Sequence, residues 1–369
     1  MSAHELYGLT RVINAHGTYT PLGVSRSTEN VRRAVCEALS DFFVIDELQA
    51  TASRVISELT GARAGAVVHC TSAGISLAVA ATMTGLSIEK IRALPDTAGM
   101  SNRVILPAGH AVDYGHPIVQ DIRLAGARPV LAGFDDACSI DQLEESMSVD
   151  RAACLLLVSS RLTRGESIPM REAVSSAHRH GLPAIIDGAA QDMRIDELLA
   201  TGADLLIVSA QKYLAGPTAG LVLGDPELVD AVRAQEKGIG RSMKATKEGI
   251  LGALAALRDR KDFDLADWRN RQEQKVSEFV RHAGRLPGVS ASADRDKAGM
   301  PFPRACLAID PTSAGMDAAS LVEKLRAGEP SIWVMLSGDT KGTLVLELVP
   351  LEADEIGIIL NRLAGILVR

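Results

Sequence analysis

The feature that most constrains this chain is a repeated alternation between short apolar runs and longer amphipathic stretches. Runs of strand length fall at Ala66–Cys70, Arg103–Pro107, Arg128–Ala132, Ala153–Ser159, Pro183–Asp187, Asp204–Ser209 and Ala219–Leu223. Between them the apolar positions take helical spacing, as in Ile75–Met83, Met170–His180 and Arg194–Leu199. Nearly continuous apolar strands interleaved with helices predict an α/β fold whose mostly parallel sheet is covered on both faces. Pro169 and Pro226 suit the first turns of two of these helices, where a missing N–H costs nothing.

The rhythm changes twice. From about Pro226 to Gln274 the pattern is mainly helical, interrupted by Gly238-Ile239-Gly240. After Pro287-Gly288 it reads strand–helix–strand–helix, with Cys306–Ile309, Asp317–Arg326, Thr343–Leu348 and Ala353–Val368 as the elements. The expected organisation is an N-terminal arm over 1–30, a large α/β domain over 31–245, a connecting helix over 246–274 and a small α+β domain over 275–369. Val12–Gly23 is rich in Gly, Thr and Pro and is expected to pack at a domain or subunit junction.

Several classes of function are excluded at this level. The 39 Lys and Arg against 46 Asp and Glu leave a net charge of −7, the wrong sign for meeting phosphates, so no nucleic-acid partner is expected. The first residues lack a basic segment followed by an apolar core, so no secretory signal is expected. No apolar run approaches the roughly 20 residues that span a bilayer, and no membrane partner is expected. Cys36, Cys70, Cys138, Cys154 and Cys306 are scattered, odd in number and without a C-x-x-C pair. They read as core residues of a chain kept in a reducing cytoplasm, and neither disulfides nor a metal are expected.

Four constellations lie after the ends of expected strands, the edge at which open α/β sheets bind ligands. Thr71, Ser72, Ala73 and Gly74 form a small-residue turn opening a helix; free N–H groups there suit a phosphate, although a plain N-cap has the same look. Asp187 follows a buried apolar strand and needs a partner: a protonated ring nitrogen, a metal, or the N–H groups of a helix it caps. Lys212 follows another apolar strand and precedes a loop of Gly216, Pro217 and Gly220. A poorly hydrated lysine there can form a Schiff base with an aldehyde; the alternative is a surface lysine on a loop. Arg241 and Lys244 share a helical face with Lys247, as a site for a substrate anion or as a solvated charged face. His110, after the strand Arg103–Pro107, either stacks on a planar group and shuttles protons or is a hydrogen-bonded structural histidine.

In this order the segments Val12–Gly23, Glu58–Ala64, Ile186–Gln191, Gln211–Gly220 and Gly240–Glu248 resemble the SelA-like group of fold-type I enzymes of pyridoxal 5'-phosphate (PLP). That group includes proteins of the selenocysteine synthase and D-glucosaminate-6-phosphate ammonia-lyase types. The resemblance implies an aspartate aminotransferase-like fold. It also implies Lys212 as the Schiff-base lysine, Asp187 at the pyridinium nitrogen, Thr71–Gly74 with Ser209 around the cofactor phosphate, and His110 against the ring. Arg241 and Lys244 become anion ligands, reaching a site shared between subunits of a homodimer or a higher even oligomer. Where related chains carry a basic residue near the start of the small-domain strand, this one has Met335, which makes Arg241 and Lys244 the expected contacts.

The reaction implied is abstraction of a Cα proton from a small amino acid or amino sugar acid, followed by β-elimination of the ammonia-lyase kind. Racemisation or epimerisation needs the same first step, and a binding protein that merely retains the fold needs none of it. The second acid/base is open between His110, His16 and Tyr114. Selenium transfer to a tRNA is disfavoured by the acidic balance and by a sequence that begins almost directly with Val12-Ile-Asn-Ala.

Overall fold

The computed structural model describes residues 1–295, 299–338 and 340–367. The strands are, in chain order, β1 (Val12–Asn14), β2 (Ala64–Val68), β3 (Arg103–Pro107), β4 (Arg128–Ala132), β5 (Ala152–Val158), β6 (Ala184–Asp187), β7 (Leu205–Ser209), β8 (Gly220–Gly224), β9 (Val289–Arg295), β10 (Pro303–Ile309), β11 (Ser331–Trp333), β12 (Met335–Leu336) and β13 (Thr343–Leu346). The chain divides into two units, Ser27–Asp262 and Met1–Arg26 with Phe263–Arg369.

The Ser27–Asp262 unit is built on a seven-stranded sheet of order β2-β8-β7-β6-β5-β3-β4. Neighbours from β7 to β4 are parallel, whereas β8 runs antiparallel to both β7 and β2. Every residue of β6, β7 and β8 is buried, so both sheet faces must be covered by apolar groups. The alternation of strand side chains decides which core each joins. Leu155, Leu157, Ile186, Leu206 and Val208 point into one cluster, whereas Cys154, Leu156, Ile185, Leu205 and Ile207 point into the other. The helix Thr71–Thr84 is apolar nearly all round and almost wholly buried against the second face. A Cβ on its Gly74 would sit 3.0 Å from the Ile207 side chain, so glycine sets how closely the helix approaches the sheet.

The other unit contains the four-stranded antiparallel sheet β12-β13-β10-β9. Its core gathers Phe279, Leu307, Leu321, Leu325, Leu344, Ile359 and Leu363. The N-terminal arm is part of this unit: β1 pairs in parallel with β11, Ile13 opposite Ile332. Glu347 N–H also donates to the Ala15 carbonyl at 2.9 Å. A Cβ on Gly17 would lie 2.6 Å from the Glu347 carboxyl, and its φ of +86° also favours glycine. The arm thus supplies an edge strand, and the unit boundary falls at Arg26 rather than at residue 30.

The single connecting helix expected over 246–274 is two helices, Lys247–Lys261 and Leu265–Ala283, one in each unit. Asp264 caps the second by accepting the Asp267 N–H, which fixes the break in the polar segment between them. The last helix, Ala353–Leu367, follows the expected span, and Val368 lies outside the described residues.

Candidate active site

Because β8 is antiparallel to both neighbours, β2 runs in the same sense as β7. The turns after β2, β3, β5, β6 and β7 therefore collect at one sheet edge. The strand order reverses between β3 and β5, since β4 lies on the far side of β3. A crevice opens at such a switch point.

Lys212 sits in the turn after β7. Ser209 Oγ accepts the N–H groups of Gln211 at 3.2 Å and Lys212 at 3.3 Å, and Gly216 N–H closes the turn onto the Ala210 carbonyl at 2.7 Å. Lys212 is half-buried, and its amine makes no hydrogen bond among the described residues. Burial pushes this amine below the ordinary lysine range; Asp187 opposes the shift, Arg161 adds to it and Asp192 opposes it.

Asp187 ends β6 and is 6% exposed. Its Oδ1 accepts the Ala189 N–H at 3.0 Å, and the Ala189 carbonyl in turn accepts the Ser209 N–H at 3.1 Å. The Asp187 turn and the Lys212 turn are thus stitched together. Burial raises the Asp187 carboxyl to about 6, against the pull of Lys212 and the Ala189 N–H, with Asp121 adding to the rise.

His110 closes the β3 end. It is buried, and its Nδ1 accepts the Val158 N–H at 3.0 Å. An acceptor nitrogen carries no proton, so the ring is the neutral tautomer with hydrogen on Nε2. Burial holds its pKa down at about 4. Val158 lies opposite Asp187 in the β5–β6 register, which brings His110 to the Asp187 side of the crevice.

The helix Thr71–Thr84 begins directly beside β8. A Cβ on Gly220 would lie 2.7 Å from the Cys70 carbonyl and 3.0 Å from the Thr71 nitrogen, so only glycine lets the strand come this near. Gly220 is paired with Ser209. Cys70 Sγ accepts the Ala73 N–H and the Cys70 carbonyl accepts that of Gly74, while the N–H groups of Thr71 and Ser72 have no partner among the described residues. Two free donors at the head of a 14-residue helix suit an anion. The Ser72 hydroxyl is committed elsewhere, to Asp121 Oδ1 at 2.6 Å.

Asp121 was not singled out by the sequence, although Ile118, Asp121 and Ile122 share one helical face with two apolar partners. Its side chain is wholly buried, and its Oδ2 accepts the Tyr114 hydroxyl. His116 Nε2 approaches Tyr114 Oη at 3.0 Å and Asp121 Oδ1 at 3.4 Å. Burial, reinforced by the Asp121 charge and hydrogen bond, raises the Tyr114 phenol well above the usual range and keeps it protonated. His16, the third acid/base candidate, is in the other unit and stacks on Tyr19 with ring centres 3.9 Å apart.

Lys244 bridges Val68 at the end of β2, and the His69 N–H donates to the Met243 carbonyl at 3.1 Å. The side chains of Arg241 and Lys244 are exposed. Asp192 and Arg260 were also missed: 68 residues separate them, and they meet at 2.7 Å through Asp192 Oδ2 and Arg260 Nη2. No local pattern signals such a pair. Among the described residues, no group of three or more His, Cys, Asp or Glu is placed to hold a metal ion. No helix among them is long and apolar enough to cross a membrane.

A lysine after β7, an aspartate at the end of β6 and a helix start with free N–H groups on this sheet order are the arrangement of the fold-type I enzymes of PLP. The residues fit that cofactor: an unbonded amine, a buried carboxyl and two free N–H donors face the same edge. No family model matches the chain. It is 33% identical to the D-glucosaminate-6-phosphate ammonia lyase of Salmonella typhimurium over 364 residues, covering 98% of this chain and 97% of the relative. It is also 33% identical to a 5'-C-glycyluridine monooxygenase-decarboxylase from a Streptomyces species, over 90% of this chain and 83% of that protein. An L-seryl-tRNA(Sec) selenium transferase of Alkaliphilus oremlandii is 25% identical over 70% of this chain and 57% of its own length. The structure of D-glucosaminate-6-phosphate ammonia-lyase superposes with a TM-score of 0.89 at 31% identity, covering 99% of this chain and 98% of that one. The chain belongs to the SelA-like family of PLP-dependent enzymes, in the company of D-glucosaminate-6-phosphate ammonia lyase.

Proposed function

We propose that this chain is a PLP-dependent lyase that takes ammonia from a small amino acid or amino sugar acid. The observation that carries the reading is the Lys212 amine, half-buried, without a hydrogen bond and shifted toward its neutral form, beside the buried Asp187. Bound PLP supplies an electron sink for the carbanion left when the Cα proton departs.

The chain's own groups have distinct tasks in this reading. Lys212 would hold the cofactor covalently and, once released, would take the Cα proton at Nζ, a task that its lowered proton affinity favours. Asp187 would hold a proton at the ring nitrogen, and a cation there would draw its carboxyl back toward the ionised form. Thr71 and Ser72 would hold the phosphate through backbone N–H groups, with Ala73, Gly74 and Ser209 shaping the cradle. His110 would lie against the ring as a neutral imidazole and would not trade protons near pH 7. Arg241 and Lys244 take the substrate's anionic group. For a substrate with a β-hydroxyl, that group leaves with a proton as water, and hydrolysis then returns a water to release ammonia and a 2-keto acid. The same reading, by likeness to the family, takes the chain as a homodimer or higher even oligomer in the cytoplasm, acting on a small molecule.

A panel of amino acids and amino sugar acids, watched for ammonia and keto-acid release, tests the reaction. Lys212→Ala is expected to abolish the visible band of bound PLP and to lower turnover by about a thousandfold or more. Retention of the band, or a borohydride-fixed pyridoxyl group on another lysine, sinks the assignment. The Streptomyces relative brings a second reading, oxidative decarboxylation. Oxygen uptake with carbon dioxide release, in place of ammonia without oxygen uptake, decides for it.

A further inference from the structure

Lys212 is in electrostatic contact with two buried carboxylates, and the proposed function uses only Asp187. The second, Asp192, belongs to the short helical turn Asp192–Arg194 that follows β6, and its side chain has no exposed surface. A carboxylate so buried requires compensation. Arg260, on the helix Lys247–Lys261, provides it: Nη2 donates to Asp192 Oδ2 at 2.7 Å and to the Tyr213 carbonyl, also at 2.7 Å. One guanidinium nitrogen thus joins the turn after β6 to the carbonyl of Tyr213, the residue that follows Lys212. Asp192 Oδ1 accepts no hydrogen bond. A buried, open oxygen on a braced carboxylate is a vacant acceptor, and Lys212 is an amine with which this carboxylate interacts electrostatically.

We propose that Asp192 and Arg260 are a positioning pair for Lys212: Arg260 locks the turn that carries the lysine, and Asp192 supplies the buried negative charge toward which the released ammonium turns. The inference rests on Lys212 being the cofactor lysine. When Asp187 faces the cationic ring nitrogen, its charge is spent there, and Asp192 is left to hold the lysine between proton transfers. The charged groups acting on Lys212 are Asp187 from the β6 end, Asp192 from the next turn and Arg161 from the loop after β5. Asp192 is itself raised to about 6 by burial, against Arg260 and Lys212, so its charge is present above about pH 6.

The test is the titration of the Lys212 amine in the full-length chain without added cofactor. Lysines carrying ¹³C-methyl groups are followed by NMR, and the Lys212 signal is identified by its loss in Lys212→Arg. Asp192→Asn is expected to lower the Lys212 midpoint by about half a pH unit or more, because an attracting charge is gone. Arg260→Gln is expected to raise it by a similar amount, because Asp192 loses its competing cation. The same opposed shifts should appear in the pH dependence of the visible band once PLP is added. No shift in either variant, or shifts of the same sign, overturns the proposal. Should Asp192→Asn fail to fold, as judged by thermal melting, the Arg260→Gln titration alone decides: a rise supports the pair and a fixed midpoint rejects it. Failure of wild-type Lys212 to take up PLP would refute the functional reading, and the methyl titration would still judge the electrostatics.

Discussion

Each unit of the molecule buries opposite charges, and the two units treat them differently. In the smaller one, Arg304 and Glu347 are 7% and 2% exposed, and they face each other directly: Nε and Nη2 of Arg304 both donate to Glu347 Oε2, at 2.9 and 2.7 Å. Glu347 also faces Gly17, and its N–H holds Ala15, so the ion pair anchors the N-terminal arm. In the larger one, Lys212 has Asp187 and Asp192 within electrostatic reach and bonds to neither. The first arrangement satisfies its charges and becomes structure. The second leaves an amine and two carboxyls with shifted proton affinities, the condition a proton-transfer site requires.

The sharpest way to break this contrast is to remove one partner of the satisfied pair. Glu347→Ala strands the Arg304 guanidinium in a dry place and is expected to cost about 3–5 kcal/mol of stability. Chemical denaturation measures the loss. A change below about 1 kcal/mol would mean that the pair is hydrated and belongs with ordinary surface bridges.

The active unit makes the opposite kind of prediction, one of pH. The Asp187 carboxyl is near 6 when folded and 3.8 in its ordinary state. The folded chain therefore holds a proton that the unfolded chain has given up, and this favours folding most at low pH. The contribution is complete below about pH 4 and is lost as pH rises through 6, on the order of 3 kcal/mol in the chain without cofactor. Asp187→Asn is expected to flatten that slope, leaving the part due to Asp192, which is shifted the same way. If denaturation midpoints between pH 4 and 7 have the same slope in the variant and the wild type, Asp187 is not the buried acid described.

What the sequence disclosed follows the same division. Strands β3 and β4 have the bounds read from the apolar runs alone; burial on both faces accounts for β3, whereas β4 is an edge strand that leaves Arg128 and Leu131 exposed. The Lys212 and Asp187 turns were legible for a related reason: a charge directly after such a run has few harmless explanations. β9 was not, since Val-Ser-Ala-Ser-Ala-Asp-Arg is small, polar and mostly exposed, and its strand character comes from the seven-residue pairing with β10. β1 and β11 were also missed, because each is three residues long and depends on a partner more than 300 residues away. Asp121 bound to Ser72 and Tyr114, and Arg260 bound to Asp192, are likewise products of the tertiary fold.

The smallest effect expected is an absence of titration, at His110. A histidine in a crevice invites the role of proton shuttle, since its ordinary pKa lies close to neutrality. The Val158 N–H pointing at Nδ1 argues otherwise, because protonating that nitrogen sets two donors against each other in a buried place. With the pKa held near 4 by burial, the ring stays neutral from about pH 5 to 8, with hydrogen on Nε2 throughout. Nitrogen NMR of the labelled imidazole should show one protonated and one bare nitrogen across that range. His110→Phe should then change cofactor affinity without moving the pH limbs of turnover. A limb that disappears in the phenylalanine variant would make His110 a proton carrier, and the division between settled and poised charges would have to include it on the poised side.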